Sequence, residues 1–177
     1  MTATPEFSRP FTLDRLGAAT AEETVTATPE ECAALARRLA IPAVASLACR
    51  WRLRRGAGGR IGAKGWLSAR LVRECVVTLD EFTADASEKF HLSFVPAGKE
   101  SDDLDPEAED EVAYEGDVID LGEATVEQLA LSLDPYPRKP SAAVLDPAML
   151  GAALPHIEDA AESKFPFAVL ARRKPGH

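Results

Sequence analysis

Between Leu47 and Leu71, apolar and polar residues alternate at period two on both sides of one glycine-rich turn. Successive side chains of a strand point to opposite faces, so the pattern leaves few folds open. Leu47, Cys49, Trp51 and Leu53 share one face, and Ala48, Arg50, Arg52 and Arg54 share the other. Arg55-Gly56-Ala57-Gly58-Gly59 then reverses the chain, since glycine tolerates positive φ. Ile61, Ala63, Leu67, Ala69 and Leu71 resume the apolar face, opposite Arg60, Lys64, Trp66, Ser68 and Arg70. The expectation is a β-hairpin with one apolar and one polar face.

Other segments add elements around this hairpin. Phe7–Leu13 fits a short edge strand. Thr28-Pro29-Glu30-Glu31 has the form of a helix start: a hydroxyl cap, proline in the first turn and Glu three residues on. Cys32, Leu35, Ala36 and Leu39 mark the buried stripe of that helix, and Pro42 ends it. Cys75–Leu79 reads as further strand, Asp80-Glu81 as a turn, and Phe90, Leu92 and Phe94 as one face of another strand. Asp120 and Glu123 have cap spacing for a second helix, with Val126, Leu129, Ala130 and Leu133 as its stripe. Residues 134–140 end it in a proline-spaced segment, and Phe165–Leu170 is the one concentrated apolar run beyond. Short turns between strands point to antiparallel pairing. The predicted fold class is α+β: a mainly antiparallel β-sheet, either open or barrel-like, with two or three helices. The expected organisation is a single domain over 1–177, with a mobile acidic loop over 99–117 and a loosely structured C-terminal segment over 141–177.

Charge is segregated along the chain. The total is acidic, with Lys+Arg 20, Asp+Glu 29 and a formal net charge of -9 over 177 residues. Yet Arg50, Arg52, Arg54, Arg55, Arg60, Lys64, Arg70 and Arg73 lie in a stretch without Asp or Glu. Glu100, Asp102, Asp103, Asp105, Glu107, Glu109, Asp110, Glu111, Glu115 and Asp117 lie in a stretch without Lys or Arg. Opposed blocks of this kind mark interaction surfaces or solvated loops. Apolar content of 46% argues against a disordered chain. No run approaches the roughly 18 apolar residues of a membrane helix. Met1–Thr12 has no apolar core of a secretory signal, so a cytoplasmic location is expected.

Chemistry has little foothold. Cys32, Cys49 and Cys75 are spaced for no metal pattern and read as small buried hydrophobes. The glycine-rich turn joins strand to strand, whereas a phosphate loop needs a helix N-terminus behind it. Carboxylates crowd into a solvated block that gives no reason for shifted pKa values. The reading is therefore of a protein that is not an enzyme and has no metal or other cofactor. The feature above background is the hairpin's polar face, where Arg50, Arg52, Arg54, Arg60, Lys64 and Arg70 surround Trp66. Cations around an exposed ring suit RNA, since phosphates supply affinity and the ring can stack an unpaired base. An ordinary solvated face, or a cradle for the chain's own acidic block, fits the same spacing.

Several motifs, taken in order, resemble the YceD family of large ribosomal RNA subunit accumulation proteins. They are Phe11-Thr12-Leu13-Asp14, the segment Glu74-Cys75-Val76-Val77-Thr78-Leu79-Asp80-Glu81-Phe82, the stretch from Ile119 through Asp120, Leu121 and Glu127 to Pro135 and Pro137, and Pro166–Ala171. The resemblance implies a bacterial cytoplasmic protein that supports 23S ribosomal RNA levels, and it carries over no catalytic residue. The motif positions are Cys75, Asp120, Leu121, Glu127 and Pro135. Many members have a Cys-x-x-Cys pair where this chain has Val72-Arg73-Glu74-Cys75, and some have further Cys after the proline segment. Any zinc site of those members is thus expected to be missing here. The implied function is a non-enzymatic ribosome-biogenesis factor that touches rRNA or a pre-50S particle through the hairpin. The alternative is an adaptor that binds a ribosomal or rRNA-processing protein through its acidic loop or C-terminal segment. No membrane partner is expected.

Overall fold

The computed structural model describes residues 5–17, 20–100 and 110–141. The central part of the acidic block and the segment from 142 onward, including Phe165–Leu170, lie outside the described residues.

The hairpin forms as its pattern requires. Strands β3 (Ala43–Arg55) and β4 (Ile61–Glu74) pair antiparallel, with Arg50 opposite Trp66 and Arg52 opposite Lys64. Leu47, Cys49, Trp51, Leu53, Ile61, Ala63, Leu67, Ala69 and Leu71 are all buried. Strand β2 (Ala21–Thr26) adds to one side antiparallel. On the other side, β5 (Glu81–Pro96) runs the full length of β4, and β6 (Asp110–Tyr114) joins it in parallel. The order β2-β3-β4-β5-β6 leaves two edges, so the sheet is open and the barrel-like alternative is not realised. A separate two-stranded ribbon pairs β1 (Pro10–Thr12) with β7 (Val118–Asp120).

The two α-helices among the described residues cover the sheet's apolar face. Helix α1 (Pro29–Arg38) begins with the expected reciprocal cap: Thr28 Oγ1 accepts from Glu31 N–H, and the Glu31 carboxylate accepts from Thr28 N–H. It buries Cys32, Leu35 and Ala36. Helix α2 (Leu121–Ser132) has Asp120 as its cap. The Asp120 carboxylate accepts from Gly122 N–H at 2.9 Å and Glu123 N–H at 3.1 Å. It also accepts from Arg9 N–H and the Ser8 hydroxyl, which ties the N-terminal segment to the helix. A side chain at Gly122 would sit 2.5 Å from the Phe7 carbonyl, so only glycine allows this approach. Glu123 does not close a capping box; it pairs with Arg38 of α1. The stripe of α2 is Leu121, Ala124, Thr125, Val126 and Leu129, and Ala130, expected inside, is exposed.

One aromatic cluster joins sheet to helix. The Trp51 ring meets Phe90 edge-on at 5.1 Å, and its indole N–H donates to Thr125 Oγ1 at 3.1 Å. Phe90 lies over Gly65, where an added Cβ would come within 2.1 Å of the ring. The dry side of β4 is therefore empty at Gly65 so that Phe90 can fill it.

Four expectations change. Cys75–Leu79 is not strand: β4 stops at Glu74, and residues 75–80 form a tight turn with Leu79 at φ 59°. The apolar run there is exposed at Val76, Val77 and Leu79, so composition suggested a strand where none of the described strands pairs with it. The strand around Phe90 extends back to Glu81, because β4 offers it a partner along its whole length. The acidic block is not one loop, since Asp110–Tyr114 is strand with Val112 and Tyr114 packed on the core. Strand β2 was not foreseen, because Val25 is its one fully buried residue and glutamates hide its alternation.

Two stability outcomes follow. Gly65→Ala overpacks the Phe90 contact and should cost about 1–3 kcal/mol in denaturant unfolding. Asp120→Ala should cost about 0.5–2 kcal/mol at neutral pH. Burial raises the Asp120 pKa, but the Ser8 hydroxyl and three backbone N–H groups outweigh it and hold it below the usual carboxylate range. Its contribution is therefore present above the unfolded-state value of about 3.9 and lost as pH falls through the lower folded value. The gap between wild type and Asp120→Ala should close in acid titrations of stability.

Candidate nucleic-acid interface

Among the described residues no helix packs on the outer face of the sheet, and the residues of that face are set by pairing register. Across the strands, Glu22, Arg52, Lys64 and His91 form one row, and Thr24, Arg50, Trp66 and Lys89 form the next. Arg54, Gly62, Ser93 and Glu111 form a third row toward the turn. Arg50, Arg52, Arg54, Lys64 and Trp66 therefore come together as the alternation implies. The Arg50 guanidinium lies over the half-buried Trp66 ring, 4.9 Å from its centroid. Arg52 reaches Glu22 loosely, at 3.9 Å with both side chains more than half exposed, which is worth little in water. Arg54, Lys64 and Lys89 have no carboxylate partner among the described residues.

Two of the expected cations stand apart. Arg60 belongs to the turn rather than the strand face, and its guanidinium pairs with Glu111 of β6. Arg70 points to the same side as Lys64 but six residues farther along β4, where Asp85 holds it in a two-pronged pair at 2.8 and 3.3 Å. Lys89 and His91 were not anticipated. The signal was present: with Phe90, Leu92 and Phe94 inward, the residues between them must face out.

The rows enclose a depression of about 470 Å³ lined by Thr20, Arg52, Arg54, Gly62, Lys64 and His91. It exists because Gly62 puts no side chain on the outer face; a Cβ there would meet nothing nearer than the Arg54 carbonyl at 4.0 Å. Among the described residues that line it none is a carboxylate, and the nearest acid on the rim is Glu22, 3.9 Å from Arg52.

The motif positions of the resemblance lie elsewhere. Leu121 is core and Asp120 is a cap, so both are structural here. Glu127 is on the exposed side of α2, with its pKa raised first by partial burial and then by Glu123. Pro135 is exposed. Cys32 and Cys49 are core, and burial pushes the Cys49 thiol up to about 11. Cys75 differs: its surface is covered, but by its own turn and the proline segment rather than by the core cluster. The Lys139 backbone N–H, followed by the Thr78 hydroxyl, lowers its thiol to about 7. Val76 N–H donates to the Pro137 carbonyl at 3.0 Å and fastens the two segments together. No group of three or more His, Cys, Asp or Glu is placed to hold a metal ion among the described residues. Nor is any helix there long and apolar enough to cross a membrane.

Comparison with known proteins identifies a family. A family model described as large ribosomal RNA subunit accumulation protein YceD matches residues 63–172. No curated protein and no solved structure matches.

The thiol environment is open to test. In native protein treated with excess alkylating reagent, Cys75 should react before Cys32 and Cys49, with a midpoint near pH 7 by mass spectrometry. A midpoint at the ordinary thiol value of about 8.5 would mean that the N–H donors do not hold the thiolate.

Proposed function

This chain belongs to the YceD family of large ribosomal RNA subunit accumulation proteins, and from that premise we propose that it is a non-enzymatic factor acting on 23S rRNA by direct contact through the outer face of its sheet. The observation that carries the reading is the convergence of Arg50, Arg52, Arg54, Lys64 and Lys89 on the outer face of the sheet around Trp66. A solvated face that existed only for solubility would intersperse both signs. Here Glu22 is the one carboxylate in the two central rows. The reading places the protein in the cytoplasm of a bacterium, on precursor rRNA or a pre-50S particle, with no chemical step of its own. The adaptor alternative rests on the acidic block and the C-terminal segment, most of which lies outside the described residues.

Charge reversal at Arg52, Arg54 and Lys64 together should abolish binding to 23S precursor fragments and lower 23S rRNA in cells that carry only the variant. Neutralising Lys64 alone should flatten the salt dependence of binding by about 0.7 in the log–log slope, the share of one phosphate contact on a single strand. Binding that is flat in salt and indifferent to these changes would remove direct RNA contact through this face. Ribosomal proteins retained after nuclease treatment would then favour the adaptor.

A further inference from the structure

We propose that the face takes unpaired RNA, with one phosphate seated in the depression at Gly62 and the neighbouring base stacked on Trp66. This rests on the reading that the face meets RNA and specifies which form of RNA it meets.

The positive patch is small. From Gly62 to Trp66 the strand advances four residues, about 13 Å, and from β3 to β5 the patch is about 10 Å across. Beyond it the charge is cancelled, by Asp85 on Arg70 at one end and by Glu111 on Arg60 at the turn. A protein that reads duplex RNA by shape spans about 16 base pairs and touches two successive minor grooves. This patch offers nothing at that distance. Two or three nucleotides of a single strand match it.

The second element is the shape of the floor. Arg52, Arg54, Lys64 and His91 rim a hollow that Gly62 leaves open. Nitrogen donors converge there, and the carboxylates nearest in register are held to the sides, Glu22 loosely on Arg52 at 3.9 Å and Glu111 on Arg60; that is the chemistry of a phosphate seat.

The third element is the ring. Trp66 is two residues from Lys64 on the same face, so base and phosphate subsites are adjacent on one strand. In the free protein Arg50 covers Trp66. A base stacked on an aromatic ring is held more strongly than an exposed guanidinium is. The base therefore displaces Arg50, whose freed guanidinium turns to a phosphate. Duplex RNA cannot make this exchange, because its bases keep their faces inside the stack.

The test measures fluorescence anisotropy of the full chain with a labelled single-stranded RNA of about ten nucleotides and with a duplex of the same composition. The expected result is single-strand binding at least tenfold tighter than duplex binding. Gly62→Val fills the hollow while keeping every charge and should weaken single-strand binding about tenfold, with little effect on duplex binding. Trp66→Ala should weaken single-strand binding by about five- to a hundredfold, with Trp66→Phe restoring most of it. Denaturant unfolding of each variant establishes that it is folded, and if Gly62→Val does not fold, the Trp66 pair decides alone. Equal or tighter duplex binding, or single-strand binding unaffected by Trp66→Ala, would overturn this proposal and leave RNA contact standing. Absence of any RNA binding at low salt would overturn both.

Discussion

Trp51 fixes which side of the sheet is which. Its ring meets Phe90 in the space over Gly65, and its N–H is satisfied by Thr125 on α2. Thr125 in turn donates to the Leu121 carbonyl, one turn back in the same helix. No other buried aromatic on the hairpin carries a polar group that must find a partner, so this is where sheet and helix are keyed together. A slip of one residue in β3 would bring Arg50 and Arg52 into the core and put Trp51 in water. The arginine face is thus a consequence of the tryptophan: once residue 51 is inside, residues 50, 52 and 54 must be outside.

Position then decides which cations stay available. Arg55 is consumed structurally, donating to the Leu13 and Leu16 carbonyls to hold the N-terminal turn. Arg38 and Arg9 are consumed in pairs that fasten α1 to α2 and to the N-terminal segment. Arg60 and Arg70 are matched by acids at the two ends of the sheet. The central rows keep their charge because β5 contributes Lys89 and His91 there, whereas it contributes Asp85 farther along. The overall charge of -9 is therefore no guide to the local field. What a phosphate would meet is set by the strand register.

Much of this was legible in the residues. The hairpin, the α1 cap and the Asp120 cap all rest on local chemistry that tertiary packing did not override. The face residues of β3 and β4 followed from period two alone. Less legible were features that depend on a partner strand: the back half of β5, edge strand β2 and parallel strand β6. Their sequences are polar or small, and they are strands because β3, β4 and β5 present unpaired backbone to them. The Gly62 depression was hidden for a different reason. A missing side chain leaves no pattern, and it is seen only when the neighbours' heights are known.

The turn at Cys75 shows the same interplay at the other end of the hairpin. Val76, Val77 and Leu79 look like strand by composition, yet the chain turns, with Cys75 N–H bonded to the Asp80 carbonyl and Leu79 N–H to the Cys75 carbonyl. Val72 stands three residues before Cys75, so the turn carries one thiol and not a Cys-x-x-Cys pair. The remaining thiol is met by N–H groups of Val77, Thr78 and Lys139. The proline segment is further held by Val76 to Pro137, by Arg73 to the Asp134 carbonyl at 2.7 Å, and by Lys139 to Asp80 at 3.5 Å. In this chain, backbone hydrogen bonds from both segments converge on one sulfur. Together these bonds anchor the proline segment that follows α2 to the end of β4.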